Sequence, residues 1–335
     1  MTEPISHLLE KALEARASLF DARHEAAFRL FNGFTEGDPD LVIDLYASTL
    51  VIHNYADDPV QGGPLVEQAT QFLQNALVWL RAGVVKTRNA RTQEEKQGQL
   101  LFGEKPDSKI KEHGVWYSID LMMNRDASLY LDTRSLRKWL VANMRGKTVL
   151  NTFAYTGSLG VAAMAGGAER VVQHDLNSQF LNVAKTSYTL NGFPIRKQDF
   201  VAVDFFTLAG KFKRTNETFD CVLIDPPFFS STPKGKVDQV NESARLINKV
   251  RPLVNDGGHL IAINNALYVS GKEYMQTLEG LCQDGYLKIK ELIPVPEDFT
   301  GYPETRLGKP ITDPTPFNHS TKIAVLEVKR RSARF

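Results

Sequence analysis

The stretch Phe219–Ser231, FDCVLIDPPFFSS, joins a short apolar run to a carboxylate, two prolines and two aromatic rings. The apolar run is typical of a buried strand, and a strand does not need an acid or a rigid turn at its end. The carboxylate of Asp225 and the carbonyl of Pro226 can accept hydrogens from an amine, and the prolines fix the backbone that presents them. Phe228 or Phe229 can stack on a base beside that amine. An ordinary proline-rich turn with core aromatics is the structural alternative.

Two glycines and a second carboxylate follow earlier apolar runs. Phe153–Gly160, FAYTGSLG, carries Gly157 and Gly160, which allow a tight turn, close approach of a ligand to the backbone and a helix start facing the site. The segment is not a complete G-x-G-x-x-G motif. Asp175 ends the next apolar run, and its carboxylate can accept both hydroxyl hydrogens of a ribose, in a dinucleotide or in S-adenosylmethionine (SAM). Its alternative role is a helix cap.

A further carboxylate is needed if the cofactor carries an adenine. The segment Lys197–Phe206 supplies Asp204 as a partner for the adenine amino group, and Asp199 is the rival candidate. The residue pattern leaves this choice open.

The Asp225 motif decides between the two possible cofactors, a dinucleotide and SAM. A dehydrogenase has no use for D-P-P and an aromatic at the end of its fourth strand. Methyl transfer to a base nitrogen does, because the nitrogen must lie in line with the sulfonium methyl and an exocyclic amine must keep its lone pair free. The sequence therefore predicts a SAM-dependent methyltransferase with Asp225, Pro226 and Phe228 in the catalytic site.

These candidates lie at the ends of predicted strands. Strands alternate with helices from about residue 120, which predicts an α/β fold with a doubly wound, mostly parallel Rossmann-like sheet. Ligands of such sheets bind beyond the carboxyl ends of the strands. The predicted strands are Lys147–Tyr155, Arg170–Asp175, Phe219–Asp225, Gly257–Asn265, Leu287–Val295 and Lys322–Lys329, and predicted helices include Ser178–Gly192 and Val237–Asp256.

The N-terminal part follows a different pattern. Helical spacing precedes a strand–strand–helix–strand–strand block, with its helix at Gly63–Gly83, which reads as a small α+β domain for RNA or substrate contact. We expect an N-terminal helical segment at 1–27, this small domain at 28–121 and the catalytic domain at 122–335.

Composition narrows the protein class. The net charge of +1 speaks against indiscriminate nucleic-acid binding and leaves room for a local patch, for which Lys234 and Lys236 are the candidates. No apolar run is long enough to span a bilayer, the N-terminus does not resemble a signal peptide, and no Cys/His group has metal-ligand spacing. We expect a cytoplasmic protein without a metal, and a homodimer is compatible with the sequence.

The chain resembles class I SAM-dependent methyltransferases, in particular the large-subunit ribosomal RNA methyltransferases of the RlmI/RlmK kind. The likeness covers about residues 28–330 and rests on Glu36–Ile52, Asp126–Leu140, Val149–Asn177, VLIDPPFFSS and GGHLIAINN. The resemblance implies that Asp175 holds the cofactor ribose and Asp204 its adenine. It also implies cofactor contacts for Asp132, Arg134, Phe153, Tyr155, Thr156, Gly157 and Leu176.

Two departures refine this likeness. No space precedes residue 28 for the extra N-terminal RNA-binding module of some members. Methylation of cytosine carbon 5 needs a cysteine nucleophile, and this chain has Asn264-Asn265 where the resemblance would place it. We therefore expect methylation of a base nitrogen in structured, ribosomal RNA, with guanine favoured and Asn264, Asn265, Phe229, Lys234 and Lys236 at the substrate. The alternatives are a methyltransferase for a protein amide or small molecule, and a non-catalytic RNA-binding assembly factor.

Overall fold

The computed structural model describes residues 3–330, which fold into two compact units. The first unit runs to Leu131 and also contains the later segment Pro296–Pro310. The second unit starts at Asp132 and resumes at Ile311 after that segment. Residues 1, 2 and 331–335, which the expected domain ranges include, lie outside the described residues.

The expected boundaries at residues 27 and 121 differ from this division, and a buried ion pair gives the reason. Arg16, just after the first helix, is fully buried and pairs with Glu36 at 2.9 Å. Its guanidinium also donates a hydrogen bond of 3.0 Å to the carbonyl oxygen of Asp298. A buried charge needs such partners. The N-terminal helix and the segment around Asp298 therefore fold together with the small domain.

The first unit is built from short strands and helices. In chain order they are α1 (Ile5–Ala15), β1 (Ala27–Asn32), α2 (Gly33–Glu36), β2 (Leu41–Tyr46), β3 (Thr49–Asn54), α3 (Pro59–Ala76), β4 (Ala82–Thr87), α4 (Gln93–Gln97), β5 (Gln99–Phe102), β6 (Lys109–Glu112) and β7 (Val115–Ser118). Strands β1 to β5 form one sheet in that order, and β6 pairs with β7. Because β3 and β4 are parallel, α3 serves as the crossover between them.

The first unit differs from its predicted elements in two places. The helix predicted at Gly63–Gly83 begins earlier, because Asp58 caps it by accepting the N–H of Val60 at 3.0 Å and Pro59 occupies its first position. It also ends earlier, at Ala76, and Gly83 already belongs to β4. The strands predicted for this part lie at Phe28–Phe34, Asp40–Ser48, Thr49–Tyr55, near Val84–Arg88 and at Gly114–Leu121. They do not include β5 and β6, which have only four residues each, too few for a clear periodicity.

The second unit contains the larger sheet. From residue 132 the elements are α5 (Arg134–Asn143), β8 (Thr148–Thr152), α6 (Ser158–Ala165), β9 (Arg170–Asp175), α7 (Ser178–Leu190), β10 (Phe200–Ala202), α8 (Phe205–Thr215), β11 (Phe219–Ile224), β12 (Phe229–Thr232), β13 (Gly235–Asp238), α9 (Ser243–Val250), β14 (Val254–Asn264), α10 (Gly271–Cys282), β15 (Leu287–Leu292), α11 (Glu297–Thr300, in the first unit) and β16 (Lys322–Val328). The strand order is β10-β9-β8-β11-β14-β16-β15. The first five strands in this order are parallel, and β16 runs antiparallel to both of its neighbours.

Apolar side chains cover both faces of this sheet. Val149 of β8 packs in one cluster with residues of α5 and α6, and its neighbour Leu150 packs in the other with residues of α8, α9 and α10. Successive residues of a strand point to opposite faces, so helices cover the sheet on both sides. The predicted doubly wound, mostly parallel α/β fold is confirmed.

One predicted helix was too long at both ends. Of the predicted helix Val237–Asp256, Ser243–Val250 is α-helical and Arg251–Leu253 forms a 3-10 turn directly after it. Val237 and Asp238 belong to β13, which pairs with β12 in a hairpin, and Val254 already belongs to β14. The tight turn between β12 and β13 contains Pro233 and Lys234, and Pro252 lies just beyond the helix end.

Candidate active site

The parallel strands of the second unit end at one edge of its sheet, and the candidate residues follow these ends. The loop 153–157 follows β8, Asp175 ends β9, Asp204 lies two residues after β10, and Asp225 directly follows β11. Asn264 is the last residue of β14. This edge is where ligands of doubly wound sheets bind.

The loop after β8 has a strained backbone. Phe153 and Tyr155 have φ angles of 56° and 51°, a left-handed conformation that is costly for residues other than glycine. Neighbouring groups hold it: the N–H of Tyr155 donates to Asp175 Oδ2 at 2.8 Å, and the N–H of Ala154 donates to the carbonyl of His174 at 2.7 Å. Such strain concentrates at ligand sites, which supports the prediction that Phe153, Tyr155 and the buried Thr156 border the cofactor.

Gly157 and Gly160 are required by packing inside the protein. A Cβ on Gly157 would lie 2.5 Å from the Cβ of Ala184, and a Cβ on Gly160 would lie 2.2 Å from Nε2 of Gln173. Gln173 also donates to the carbonyl of Gly157 at 3.0 Å. Their missing side chains make room for Ala184 and Gln173, and the predicted approach of a ligand to their backbone stays a prediction.

Asp175 connects the end of β9 to its surroundings through both carboxylate oxygens. Oδ2 accepts the N–H of Tyr155, and Oδ1 accepts the N–H of Asn177 at 2.9 Å. The cap of α7 is Asn177, which accepts the N–H of Gln179, so Asp175 does not fill the capping role. A carboxylate has about four acceptor positions, which leaves capacity for ribose hydroxyls. The next residue, Leu176, exposes 63% of its surface and offers an apolar face at the same place.

The structure separates the two candidate adenine partners. Asp199 is buried before β10 and pairs with Arg170, the first residue of β9, at 2.8 Å. Since β9 and β10 are parallel, this ion pair lies at the amino edge, away from the site. Asp204 lies at the carboxyl edge, where Thr232 donates to its Oδ2 at 2.6 Å. Burial raises its pKa, but hydrogen bonds from Thr232 and from the start of α8 outweigh burial and lower the pKa overall, so the group is ionised.

Asp132 and Arg134 open the second unit. Asp132 is partly buried, and its Oδ2 accepts a hydrogen bond of 2.7 Å from the hydroxyl of Thr321, next to the start of β16. Arg134 is the half-buried first residue of α5. Their predicted contacts with the cofactor stay predictions.

Asp225 is a carboxyl group with an altered acidity. Burial, together with the negative charge of Asp132, raises its pKa to about 7. Within residues 3–330 no hydrogen bond to its carboxylate is formed. A partly buried acid without internal donors is suited to accept hydrogens from a bound molecule.

A buried glutamine fixes the loop that carries Asp225. Nε2 of Gln239 donates a hydrogen bond to the carbonyl of Pro226, and its backbone N–H donates to the carbonyl of Phe228 at 3.1 Å. Oε1 of Gln239 accepts the N–H of Asn265 at 2.9 Å. One lone pair of the Pro226 carbonyl is therefore already used, and one is left for a ligand. The sequence reasoning missed Gln239; the turn signal Thr232-Pro233-Lys234-Gly235 could have revealed the hairpin that presents it.

The two asparagines after β14 have different roles. The side chain of Asn264 is buried, donates to the Ser243 hydroxyl at 3.0 Å and accepts the N–H of Ala266 at 3.0 Å. Its amide is occupied by protein partners, which corrects its assignment as a substrate-binding residue. Asn265 is exposed and remains a candidate.

Aromatic and basic side chains surround the Asp225 loop. Phe228 and Phe229 expose 52% and 55% of their surfaces, as a base-stacking role requires. Lys234 lies exposed at the hairpin turn, whereas Lys236 pairs with Asp238 at 2.8 Å and lies 5.2 Å from the ring centre of Phe229. Lys234 is thus the freer of the two cations.

Neither cysteine of the chain is placed to attack a base. Cys221 is fully buried in β11, and burial raises the pKa of its thiol to about 12. Four residues separate it from Asp225, about 13 Å along an extended strand. Cys282 ends α10, and burial raises its pKa as well. A thiolate nucleophile is therefore not available at the carboxyl edge.

The residues at this edge fit SAM. The ionised Asp204 and the doubly anchored Asp175 are acceptors for the amino and hydroxyl groups of an adenosine, and Leu176 adds apolar surface beside them. Across residues 3–330 no group of His, Cys, Asp and Glu side chains is arranged to hold a metal ion. In the same range no helix combines the length and apolarity needed to cross a membrane.

Comparison with known proteins gives the family. A family model described as S-adenosylmethionine-dependent methyltransferase matches residues 30–299. The chain therefore belongs to the SAM-dependent methyltransferases and is an enzyme that uses SAM. The crystal structure of SMU.776 complexed with SAH matches with a TM-score of 0.83 at 21% identity, covering 98% of this chain and 83% of that chain, which supports the fold.

Two relatives extend this result. The chain is 28% identical over 305 residues to YwbD of Bacillus subtilis, covering 88% of this chain and 76% of that protein. It is 31% identical over 255 residues to ribosomal RNA large subunit methyltransferase I of Photobacterium profundum, covering 75% of this chain. That alignment spans 64% of the relative, slightly less than two thirds of its length.

Proposed function

We propose that this enzyme methylates a nitrogen of a base, with guanine favoured, in large-subunit ribosomal RNA. The ribosomal substrate rests on the similarity to the methyltransferase I proteins of Photobacterium profundum and Vibrio cholerae, each 31% identical to this chain. The choice of nitrogen rests on the site of this chain alone.

One observation favours nitrogen over carbon as the methylated atom. Asp225 and the Pro226 carbonyl are neighbouring hydrogen-bond acceptors, and no thiol is within reach of them. Carbon methylation of a pyrimidine ring needs a covalent nucleophile, and Cys221 is buried about four strand residues away. An amine nitrogen attacks without covalent help once its hydrogens are held by acceptors. Asp225 and Pro226 supply two such acceptors at the edge where the candidate cofactor residues lie.

The residues of the site divide the work of the reaction. SAM, when bound, supplies an electrophilic methyl group on its sulfonium. Asp175 and Asp204 accept hydrogen bonds from the adenosine of SAM, and the strained loop after β8 borders its methionine part. Phe228 stacks on the target base, while Asp225 and Pro226 turn the lone pair of the nitrogen toward the methyl. An amine must then lose one proton, and a carboxylate with a pKa of about 7 accepts it readily near neutral pH.

We also propose that the first unit contacts the RNA. The hairpin β6–β7 holds two lysines against a tryptophan: Nζ of Lys109 and Nζ of Lys111 lie 4.4 Å and 5.2 Å from the ring centre of Trp116. Cations beside an aromatic ring favour phosphate contact together with base stacking.

Nucleoside analysis tests the proposal. Large-subunit RNA from cells that lack this gene is treated with the enzyme and SAM, digested to nucleosides and analysed by mass spectrometry. The proposal predicts one new methylguanosine with the methyl on nitrogen. A new 5-methylcytidine would refute the choice of nitrogen. Methyl in protein or small molecules but not in RNA would favour the alternative methyltransferase substrates.

A further inference from the structure

The turn that follows β14 has a fixed backbone and exposed apolar side chains. Residues Ala266–Val269, here called the 266–269 turn, close with a hydrogen bond of 3.2 Å from the N–H of Val269 to the carbonyl of Ala266. Within this turn Leu267 exposes 37% and Tyr268 exposes 74% of its surface. A tyrosine that a fixed turn presents to solvent offers a flat ring face on which a base can stack.

A buried lysine fixes this turn through hydrogen bonds to its carbonyl groups. Lys322, the first residue of β16, is 0% exposed, and its Nζ donates to the carbonyls of Ala266 at 3.1 Å, Val269 at 3.0 Å and Ser320 at 2.5 Å. All three donor positions of the ammonium are thereby used. A charged group is buried in this way only when its hydrogen bonds compensate the loss of water, so the 266–269 turn has a strongly determined position.

Both ends of the turn are anchored as well. The N–H of Ala266 donates to Oδ1 of Asn264, and the N–H of Asn265 donates to the buried Gln239. On the other side Ser270 caps α10 in a capping box with Glu273. The backbone on either side of Tyr268 is therefore fixed before any substrate binds.

The position of the turn relates it to the target base. Strands β11 and β14 are parallel neighbours, with Ile224 opposite Ala262, so the loops after them leave the sheet side by side, about 5 Å apart. Gln239 bonds to both loops, to the Pro226 carbonyl and to the Asn265 N–H. The turn with Tyr268 thus starts beside the loop that carries Asp225 and Phe228.

We infer that Tyr268 forms a stacking subsite for an unpaired nucleotide that flanks the target nucleotide. This inference rests on the proposed function, because it assumes a base in the site at Asp225. An aromatic side chain can stack only on a base that has left its own helix, so the subsite selects a loop, bulge or melted segment of RNA over a continuous duplex. Lys322 is a positioning residue, since it acts through the turn and not on the RNA.

Substitution of Tyr268 tests the inference with wild-type enzyme in the same assay. With deproteinised large-subunit RNA, we expect Tyr268→Ala to raise the KM for RNA by about 5-fold to 150-fold, since stacking contributes roughly 1 to 3 kcal/mol per base. The KM for SAM should stay unchanged, and Tyr268→Phe and Tyr268→Trp should retain the wild-type KM for RNA. Ile195→Ala is the matched control: it removes a 42% exposed apolar side chain ahead of β10, at the amino edge.

A second variant tests the role of the fixed turn. Lys322→Met should raise the KM for RNA, and its effect should not add to that of Tyr268→Ala in the double variant, because both act through one turn. Additive effects would contradict the coupling.

The outcomes also separate this inference from the proposed function. If wild-type enzyme transfers no methyl to RNA, the proposed function fails and the subsite falls with it. If wild-type enzyme is active on RNA and Tyr268→Ala has the wild-type KM, the subsite alone is refuted. Equal KM increases for Tyr268→Ala and Tyr268→Phe would also refute it, because the phenylalanine retains the stacking ring.

Discussion

Gln239 donates a hydrogen bond from its side-chain amide to the carbonyl oxygen of Pro226. The same amide accepts the N–H of Asn265 at 2.9 Å, and Gln239 is only 1% exposed. One buried side chain therefore fixes the loop after β11 relative to the loop after β14. The geometry at Asp225 depends on a residue that belongs to no recognisable motif.

Gln239 is thus a clamp between the two loops. Its removal should affect the chemical step more than it affects cofactor binding. We expect Gln239→Leu to lower kcat by about 10-fold to 100-fold, because small misplacements of reacting groups are costly. The Kd for SAM should remain unchanged, since Asp175 and Asp204 are held by other partners. Steady-state kinetics and calorimetric titration measure the two quantities. Gln283→Leu, the same change at an exposed position after α10, is the control, and an unchanged kcat for Gln239→Leu would contradict the role of the clamp.

Asp225→Asn should abolish methyl transfer and stabilise the fold at alkaline pH. The folded-state pKa of about 7 lies above the unfolded value of about 3.9. The ionised acid therefore destabilises the native state increasingly from about pH 4 to pH 7, and the penalty stays constant above that range. Because Asp225 retains some exposure, we expect the variant to gain about 2 kcal/mol at pH 8 and nothing at pH 4. Thermal unfolding at both pH values measures this, and an equal gain at both would contradict the raised pKa.

Asp175→Ala should weaken SAM binding by at least about 10-fold, because charge-assisted hydrogen bonds to the ribose are lost. The anchor of Tyr155 is lost with them. Asn177→Ala provides the matched control, since it removes the cap of α7 and should cost about 1 kcal/mol of stability while it leaves the Kd for SAM unchanged. Similar Kd values for the two variants would argue against a ribose contact.

The pair Asp199 and Asp204 allows a similar comparison. Asp204→Asn should weaken SAM binding. A carboxylate only accepts hydrogen bonds, whereas half of the asparagine amide is a donor and cannot bind the hydrogens of an adenine amino group. Asp199→Asn breaks the ion pair with Arg170 at the other edge of the sheet, so it should lower the melting temperature without a change in the Kd for SAM. Calorimetric titration combined with thermal unfolding distinguishes the two, and the reverse pattern would overturn the assignment.

The two hairpin lysines should contribute unequally to RNA binding. Lys236 already pairs with Asp238 at 2.8 Å, whereas Lys234 forms no ion pair with any residue of the described range. Lys234→Ala should therefore reduce the slope of log Kd against log salt by about 0.7 to 0.9, the value for one phosphate contact. Lys236→Ala should change the slope less. Filter binding over a salt series measures both, and a larger effect of Lys236→Ala would contradict the prediction.

The sheet could be predicted because several of its strands are short apolar runs, and two of them, β9 and β11, lead directly to acids. Asp175 and Asp225 can be located in this way: Asp175 is the last residue of β9, and Asp225 directly follows β11. The choice between Asp199 and Asp204 could not be made, since β10 has only three residues and gives no periodicity. The ion pair with Arg170, 29 residues away, places Asp199 at the amino edge of the sheet and therefore favours Asp204.

Contacts between distant residues were beyond the reach of local patterns. Gln239 lies 13 residues from Pro226 and 26 from Asn265, so nothing near it in sequence indicates its partners. The helical spacing of Ser243–Val250 was extended backwards over β13, which hid Gln239 in a predicted helix. The burial of the Asn264 amide likewise could not be predicted, because its partner Ser243 lies 21 residues away in the sequence.

The central claim is that Asp225 serves methyl transfer to large-subunit RNA. The most direct test is transfer of tritiated methyl from SAM to total RNA of cells that lack this gene, with wild-type enzyme and Asp225→Asn in parallel. The account predicts label in large-subunit RNA with wild-type enzyme and none with the variant, although both bind SAM equally well. Equal labelling by the two enzymes, or no label in any RNA with wild-type enzyme, would contradict it.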